Sequence, residues 1–94
     1  MIAQRLVPLG YQQIGTLTGA TGLTVPSGAT LAIISAEGTA VRWRDDGVAP
    51  TAAIGVPMAI TDSPLQYSGT LAALKFIEQT ASAKLNVAYY RVAG

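Results

Sequence analysis

Short β-type runs separated by turn residues extend along the whole chain. Ten glycines and five prolines are spread through the 94 residues rather than gathered into one linker. The runs between them are rich in Val, Ile, Thr, Leu and Tyr, which favour strands. Turn signals about every 8–12 residues between such runs are typical of a sandwich or barrel. The sequence therefore predicts an all-β fold, a small β-sandwich or jelly-roll-like barrel of about 7–8 short antiparallel strands.

Eight runs are predicted as strands. The clearest is Lys84–Arg91, where residues alternate between two faces, so that Tyr89 and Tyr90 point in opposite directions. Residues 70–84 also have the spacing of an amphipathic helix, but β-prone Phe76 and a following turn favour a strand. The other predicted strands are Tyr11–Thr18, Leu23–Val25, Leu31–Ala36, Val41–Asp45, Pro57–Ile60, Leu65–Tyr67 and Leu74–Thr80.

Two short connections near the end of the chain have the composition of hairpin turns. Residues 61–64 join Pro57–Ile60 to Leu65–Tyr67, and residues 81–83 join the last two strands. Leu31–Ala36 is apolar on both faces, which predicts a central strand covered on both sides.

The length predicts one domain with no second core. Residues 1–10, closed by Pro8 and Gly10, are predicted as an extended N-terminal arm, and residues 11–94 as a single β-sandwich domain. An arm of this kind can reach a neighbouring subunit.

The surface has few charges to keep it apart from other surfaces. Charged residues make up 12% of the chain and hydrophobic residues 50%, whereas a typical charged fraction is about 25%. Exposed apolar area of this kind usually marks an interaction site. The alternative is that many of these residues are alanines, which tolerate exposure.

The side chains that enzymes use most are missing. The chain has no histidine and no cysteine, which excludes thiol nucleophiles, thiolate metal sites and the Ser-His-Asp arrangement. Two alternatives stay open. Glu37 and Glu78 could form a glycosidase pair, and Asp45-Asp46-Gly47, which has the composition of a turn, could instead be a calcium-binding loop. The sequence predicts a protein that is not an enzyme, with no cofactor and no metal site.

Charge and hydropathy also give predictions about binding to nucleic acid and to membranes. The net charge of +1 gives no reason to expect nucleic acid or an anionic membrane as a partner. No apolar run approaches the roughly 20 residues of a membrane span, and the N-terminus lacks the pattern of a signal peptide. We therefore expect a protein made and kept in the cytoplasm until it assembles or is released.

The candidate interface residues fall in three places. The arm contributes five, the patch Arg42-Trp43-Arg44 combines types that dominate interfaces, and the last strand contributes two. For the patch, the alternatives are a core position for Trp43 beside Val41, with the arginines paired to nearby acids, or a sugar-stacking Trp43. The full set is Ile2, Arg5, Leu6, Val7, Leu9, Arg42, Trp43, Arg44, Tyr90 and Arg91.

Three segments carry a family resemblance: residues 25–58, residues 65–79 and Lys84–Arg91. They resemble a group of small proteins encoded among the virion structural genes of tailed bacteriophages, and the resemblance covers roughly residues 11–91. It implies a β-sandwich or jelly-roll-like virion protein without an enzymatic role, and it carries over no catalytic residue. A virion location, reached from the host cytoplasm, is implied with it.

Three functions are compatible with these observations. The favoured one is a capsid decoration or cement protein that binds the major capsid protein lattice and copies of itself, as a trimer or another cyclic cluster. The second is a tail, neck or fibre-base component. The third is a receptor- or carbohydrate-binding module, which needs exposed aromatic side chains such as Trp43.

Overall fold

A computed structural model of the chain describes residues 5–93. Within these residues, eight strands and one short 3₁₀ turn form the regular structure, which confirms the all-β prediction. None of the described residues forms a helix that is long and apolar enough to cross a membrane. The strands are β1 (Arg5–Ile14), β2 (Thr21–Gly22), β3 (Leu31–Glu37), β4 (Val41–Arg44), β5 (Val56–Met58), β6 (Leu65–Tyr67), β7 (Lys75–Glu78) and β8 (Lys84–Ala93), and the 3₁₀ turn is Leu71–Ala73.

The strands form two antiparallel sheets. The first sheet has the order β1-β8-β3-β6, and the second sheet has the order β2-β7-β4-β5. The strand pairing is nested: each strand of the first half pairs with a strand of the second half, in the pairs β1·β8, β2·β7, β3·β6 and β4·β5. The chain therefore has the connectivity of one long antiparallel hairpin. Two further pairings, of β3 with β8 and of β4 with β7, fold this long hairpin into a sandwich of two sheets. This folding pattern is the jelly roll, a double-sheet arrangement.

The hydrophobic core lies between the two sheets. In β8 every second side chain from Leu85 to Tyr89 is buried, and Phe76 of β7 is buried on the opposite sheet. The hydroxyl of Tyr89 donates a hydrogen bond to Oε1 of Gln12 at 2.7 Å, as a buried tyrosine requires. Burial raises the pKa of the Tyr89 phenol. The alternation therefore points one face of each sheet inward and the other outward.

Both predicted hairpins are wrong. β5 and β6 lie in different sheets, and so do β7 and β8. The short connections at residues 61–64 and 81–83 therefore cross from one sheet to the other. Turn residues bend the chain both in a hairpin within one sheet and in a crossing between sheets. The nested pairing of distant strands determines which of the two forms.

The first strand lies earlier in the chain than predicted. β1 covers Arg5–Ile14 and pairs with β8 along its length, with a bulge between Pro8 and Gly10. After Gly15 the chain leaves the first sheet, because the carbonyl of Leu17 accepts from the amide of Glu78 in the second. Residues 5–10 of the predicted arm thus form the first half of β1, and residues 1–4 lie outside the described residues.

The prediction that both faces of Leu31–Ala36 are covered is wrong for the outer face. β3 is central, between β8 and β6, and its inner face is buried against the second sheet. Eight strands in two layers leave no third layer, so no strand or 3₁₀ turn of residues 5–93 lies over the outer face. A strand that is apolar on both sides consequently presents one apolar side outward.

Candidate functional site

The outer face of the first sheet is the candidate functional site. In β3 and β8 the buried positions face the core, so the alternate positions, including Ile33 and Ala88, face outward. Residues directly opposite in neighbouring strands share a face, which adds the positions of β1. The outward apolar members, which we call the apolar face, are Leu6, Pro8, Tyr11, Leu31, Ile33, Ala88, Tyr90 and Val92.

Exposure on the apolar face is greatest along β1 and at the end of β8. Tyr11 is 64% exposed, Leu6 41% and Val92 38%. Leu31, Ile33, Ala88 and Tyr90 are half-buried by their neighbours within the sheet. Exposed apolar side chains on β1 and β8, next to half-buried ones on β3, form an apolar surface of the kind that often marks an interaction site.

A hydrogen-bond network bounds the apolar face on one side. The Tyr11 hydroxyl donates to Oδ1 of Asn86, which also accepts from Nε2 of Gln13 at 3.0 Å. Nδ2 of Asn86 in turn donates to Oε1 of Glu37 at 3.0 Å. The network crosses β1, β8 and β3, so it holds the Tyr11 ring in place and forms a polar rim.

A groove of about 460 Å³ lies at the other side of the apolar face. Leu6, Leu31 and Val92 supply its apolar lining, and Gln66 and Ser68 its polar wall. The groove lies where β3 begins at Leu31, opposite Tyr90, while β1 and β8 continue. The apolar face is therefore concave at this end.

The continuing part of β1 and β8 is a two-stranded ribbon. Its end pairs Arg5 with Ala93 and Val7 with Arg91, and the molecule is 41 Å long against 26 and 22 Å in the other directions. Arg5 and Arg91 are exposed, and no ion pair involving either is found within residues 5–93. A two-stranded ribbon is only marginally stable alone, and the register of β3 with β8 ends before this part of the two strands.

The structure brings together five of the predicted interface residues and separates others. Arg5, Leu6, Val7 and Arg91 lie in the ribbon, and Tyr90 lies beside it, opposite Leu31 of β3. Leu6 and Tyr90 are on the apolar face. Leu9 packs against the core. Ile2 lies outside the described residues.

The Arg42-Trp43-Arg44 patch is divided between the two sides of the second sheet. Trp43 is opposite Phe76, faces inward and packs against the core. This is the alternative in which Trp43 is a core residue and not part of an exposed patch. Arg42 donates to backbone carbonyls, from Nε to Ala52 at 3.2 Å and from an Nη to Gly55 at 2.8 Å. These contacts tie the loop after β4 to the sheet.

Arg44 forms the ion pair in this region. Its Nε donates to Oδ1 of Asp46 at 3.0 Å, and this contact holds the pKa of the Asp46 carboxyl below its usual value. Both side chains are solvent-exposed enough that the pair stabilises the fold only weakly. Asp46 is thus a turn residue that pairs with an arginine.

Trp43 also borders an open cleft of about 280 Å³. Its ring meets that of Tyr67 edge-on, with centroids 6.1 Å apart, and the Tyr67 hydroxyl donates to Oδ2 of Asp45 at 2.6 Å. That hydrogen bond raises the pKa of Tyr67. Asp62, Ser63 and Gln66 add polar groups to the lining.

The five acidic residues are distributed over both sheets and two loops. Glu37 lies in the first sheet and Glu78 in the second. Among residues 5–93 there is no group of three or more carboxylate, thiol or imidazole side chains that could hold a metal ion.

Most of the apolar face was missed by sequence reasoning. Six of its eight members were not among the candidate residues, although the two-sided apolar character of Leu31–Ala36 was visible. These six are Pro8, Tyr11, Leu31, Ile33, Ala88 and Val92. That character is the signal that could have found them, since one of two apolar sides of a strand in a two-layer sandwich faces outward.

Comparison with protein-family models, with curated proteins and with solved structures finds no match to this chain.

Proposed function

We propose that this chain is a non-enzymatic structural protein of a tailed-bacteriophage particle, and specifically a capsid decoration protein that binds the major capsid protein lattice and copies of itself. The observation that carries the proposal is the apolar face, which residues 5–93 leave without a covering layer. A small domain that exposes such a face is completed by other protein.

The fold supports this role without assigning it. Jelly rolls occur in viral capsid domains, and also in lectin domains and cupins, so the topology alone does not define a function. We propose the first of these settings on the resemblance to phage virion proteins that the sequence of residues 11–91 suggests. The low charged fraction of 12% suits a subunit surrounded by neighbours.

The end of the ribbon is the part best placed to reach the lattice. By register, Arg5, Val7 and Arg91 lie on the side of the ribbon away from the apolar face. Both arginines are exposed, and arginine is enriched at protein interfaces. On a lattice many copies bind side by side, so each contact can be modest and still hold the particle together.

Reversing both charges at the ribbon end is expected to weaken binding to particles at least tenfold. The variant is Arg5→Glu with Arg91→Glu. Binding is expected to weaken because the two arginines would face acidic or carbonyl groups of the capsid lattice, which would repel the two glutamates. The measurement is co-sedimentation of the purified chain with phage heads assembled without it.

The matched control is Lys75→Glu, an exposed charge reversal on the outer face of the second sheet. It is expected to bind as the unchanged chain does. Failure of the unchanged chain to bind any undecorated head would overturn the decoration proposal. Labelled antibody found on tails or necks of whole particles would replace it with the tail or neck role.

A second candidate function is glycan binding, and the cleft beside Trp43 favours it. An aromatic ring next to a carboxylate, a hydroxyl and an amide can pack on a sugar face and bind its hydroxyl groups. Because Trp43 is the single tryptophan of the chain, its emission reports directly on this cleft.

For the glycan role we expect a saturable change in Trp43 fluorescence on titration with one class of host-surface glycan. Gln66→Ala removes an exposed amide from the cleft lining and is expected to weaken the response, whereas Gln13→Ala, on the first sheet, leaves it unchanged. A flat response across a broad glycan panel would exclude this function.

A further inference from the structure

The sheet edges of this molecule are poor sites for association. β1 is the long edge strand, but Pro8 and the adjoining bulge interrupt it. The other three edge strands are two or three residues long, and β5 contains Pro57. Short strands, prolines and bulges are the devices that prevent edge-to-edge pairing. The sheet edges are therefore poorly suited to strand pairing with a second copy, which directs attention to the faces of the sandwich.

The two outer faces differ in charge. On the second sheet Arg44 and Lys75 are directly opposite each other, with Arg42 on the same side. Asp46 pairs with Arg44, but Arg42 and Lys75 still carry positive charge on this face, so a second copy placed there would meet a net positive surface. On the outer face of the first sheet, Glu37 lies opposite Lys84. This pair has no net charge, and Glu37 belongs to the polar rim. The apolar face is thus compatible with a copy of itself.

We infer that the apolar face is the contact between two copies of this chain, packed sheet against sheet around a twofold axis. The inference deepens the proposed function and rests on it in taking this face to be covered in the assembled state. An isologous contact needs a self-complementary surface, which a neutral, apolar face with its own polar rim provides.

The size of the face matches a modest dimer interface. The four strands have 10, 10, 7 and 3 residues, so with about 3.3 Å per residue and about 4.8 Å between strands the face spans about 475 Å² in plan. Two copies would then bury about 950 Å², which is in the range of weak, reversible interfaces. Tyr11 and Tyr90 place aromatic rings on the face, and aromatic side chains account for much of the energy at interfaces.

The hydrogen bond from Tyr11 to Asn86 prepares one of these rings for binding. A ring already held in position loses less conformational entropy when a partner covers it. The contact leaves the opposite side of the ribbon, with Arg5 and Arg91, free to meet a third protein.

The test is the mass of the purified full-length chain in solution, by sedimentation equilibrium between about 1 and 500 µM. We expect a reversible dimer. Ile33→Lys and Leu6→Lys each place a cation on the apolar face and are expected to weaken the dimer at least tenfold. Ile77→Lys makes the same change on the outer face of the second sheet and is expected to have no effect on the mass.

Leu6 is exposed, so its substitution decides the matter even where Ile33→Lys impairs folding. A monomer at 500 µM, a trimer, or a dimer that survives Leu6→Lys would overturn the inference. The experiment contains no particles. A dimer of a chain that fails to bind heads would therefore refute the decoration role and leave the face assignment standing.

Discussion

Replacing Phe76 with alanine is expected to lower the free energy of unfolding by about 3–5 kcal/mol. Phe76 is fully buried and lies opposite Trp43 on the inner face of the second sheet. Its loss leaves a cavity between the sheets that the surrounding strands fill only in part. Since small domains have a total stability of about 5–15 kcal/mol, this one change removes a large share of it.

Ile77→Ala is the matched control, one position further along the same strand and on its outer side. We expect a loss of only about 1 kcal/mol, because this side chain is half-buried. Urea denaturation at one fixed protein concentration measures both, since self-association would itself stabilise the fold. Equal losses would contradict the difference in burial between the two side chains, and a larger loss for Ile77→Ala would indicate that β7 has slipped by one residue, which exchanges its two faces.

Most strand positions could be predicted because their signals are local, but the strand predicted at Leu23–Val25 is wrong, since β2 is Thr21–Gly22. Leu65–Tyr67 was predicted with the bounds that the structure has, and the alternation of the last strand correctly set Tyr89 and Tyr90 on opposite faces. A period of two depends only on neighbouring residues, so one sequence suffices to read it.

Strand pairing could not be predicted in the same way. A turn at residues 81–83 has the same composition whether the next strand joins the same sheet or the opposite one. In a jelly roll that choice depends on the nested pairing of distant strands, such as β1 with β8. No residue in the turn encodes it.

The apolar face could be predicted only in part for a related reason. An apolar outer side of β3 is expected whether the chain covers it with its own elements or another molecule covers it. The number of layers in the fold distinguishes these two cases, and that number depends on how the strands are paired into sheets. Trp43, in contrast, shares a face with Val41 by simple alternation, and the structure places both toward the core.

Gly38→Ala is expected to lower the free energy of unfolding by about 2–5 kcal/mol, from a backbone penalty of about 1–2 and an overlap penalty of about 1–3 kcal/mol. Gly38 has a φ of +84°, in the left-handed region. An added Cβ would lie 2.5 Å from the backbone carbonyl oxygen of Ser82. The turn after β3 and the turn before β8 pack against each other at this point, so one of them must move.

Gly47→Ala separates the two contributions, because Gly47 has nearly the same φ of +85° but nothing within 4 Å of the added Cβ. It is expected to lose only the backbone penalty of about 1–2 kcal/mol. Thermal or urea unfolding of both variants gives the difference, which reports the contact between the two turns. Equal losses would mean that the turns do not touch. The sandwich would then be open at the end where the chain crosses between sheets.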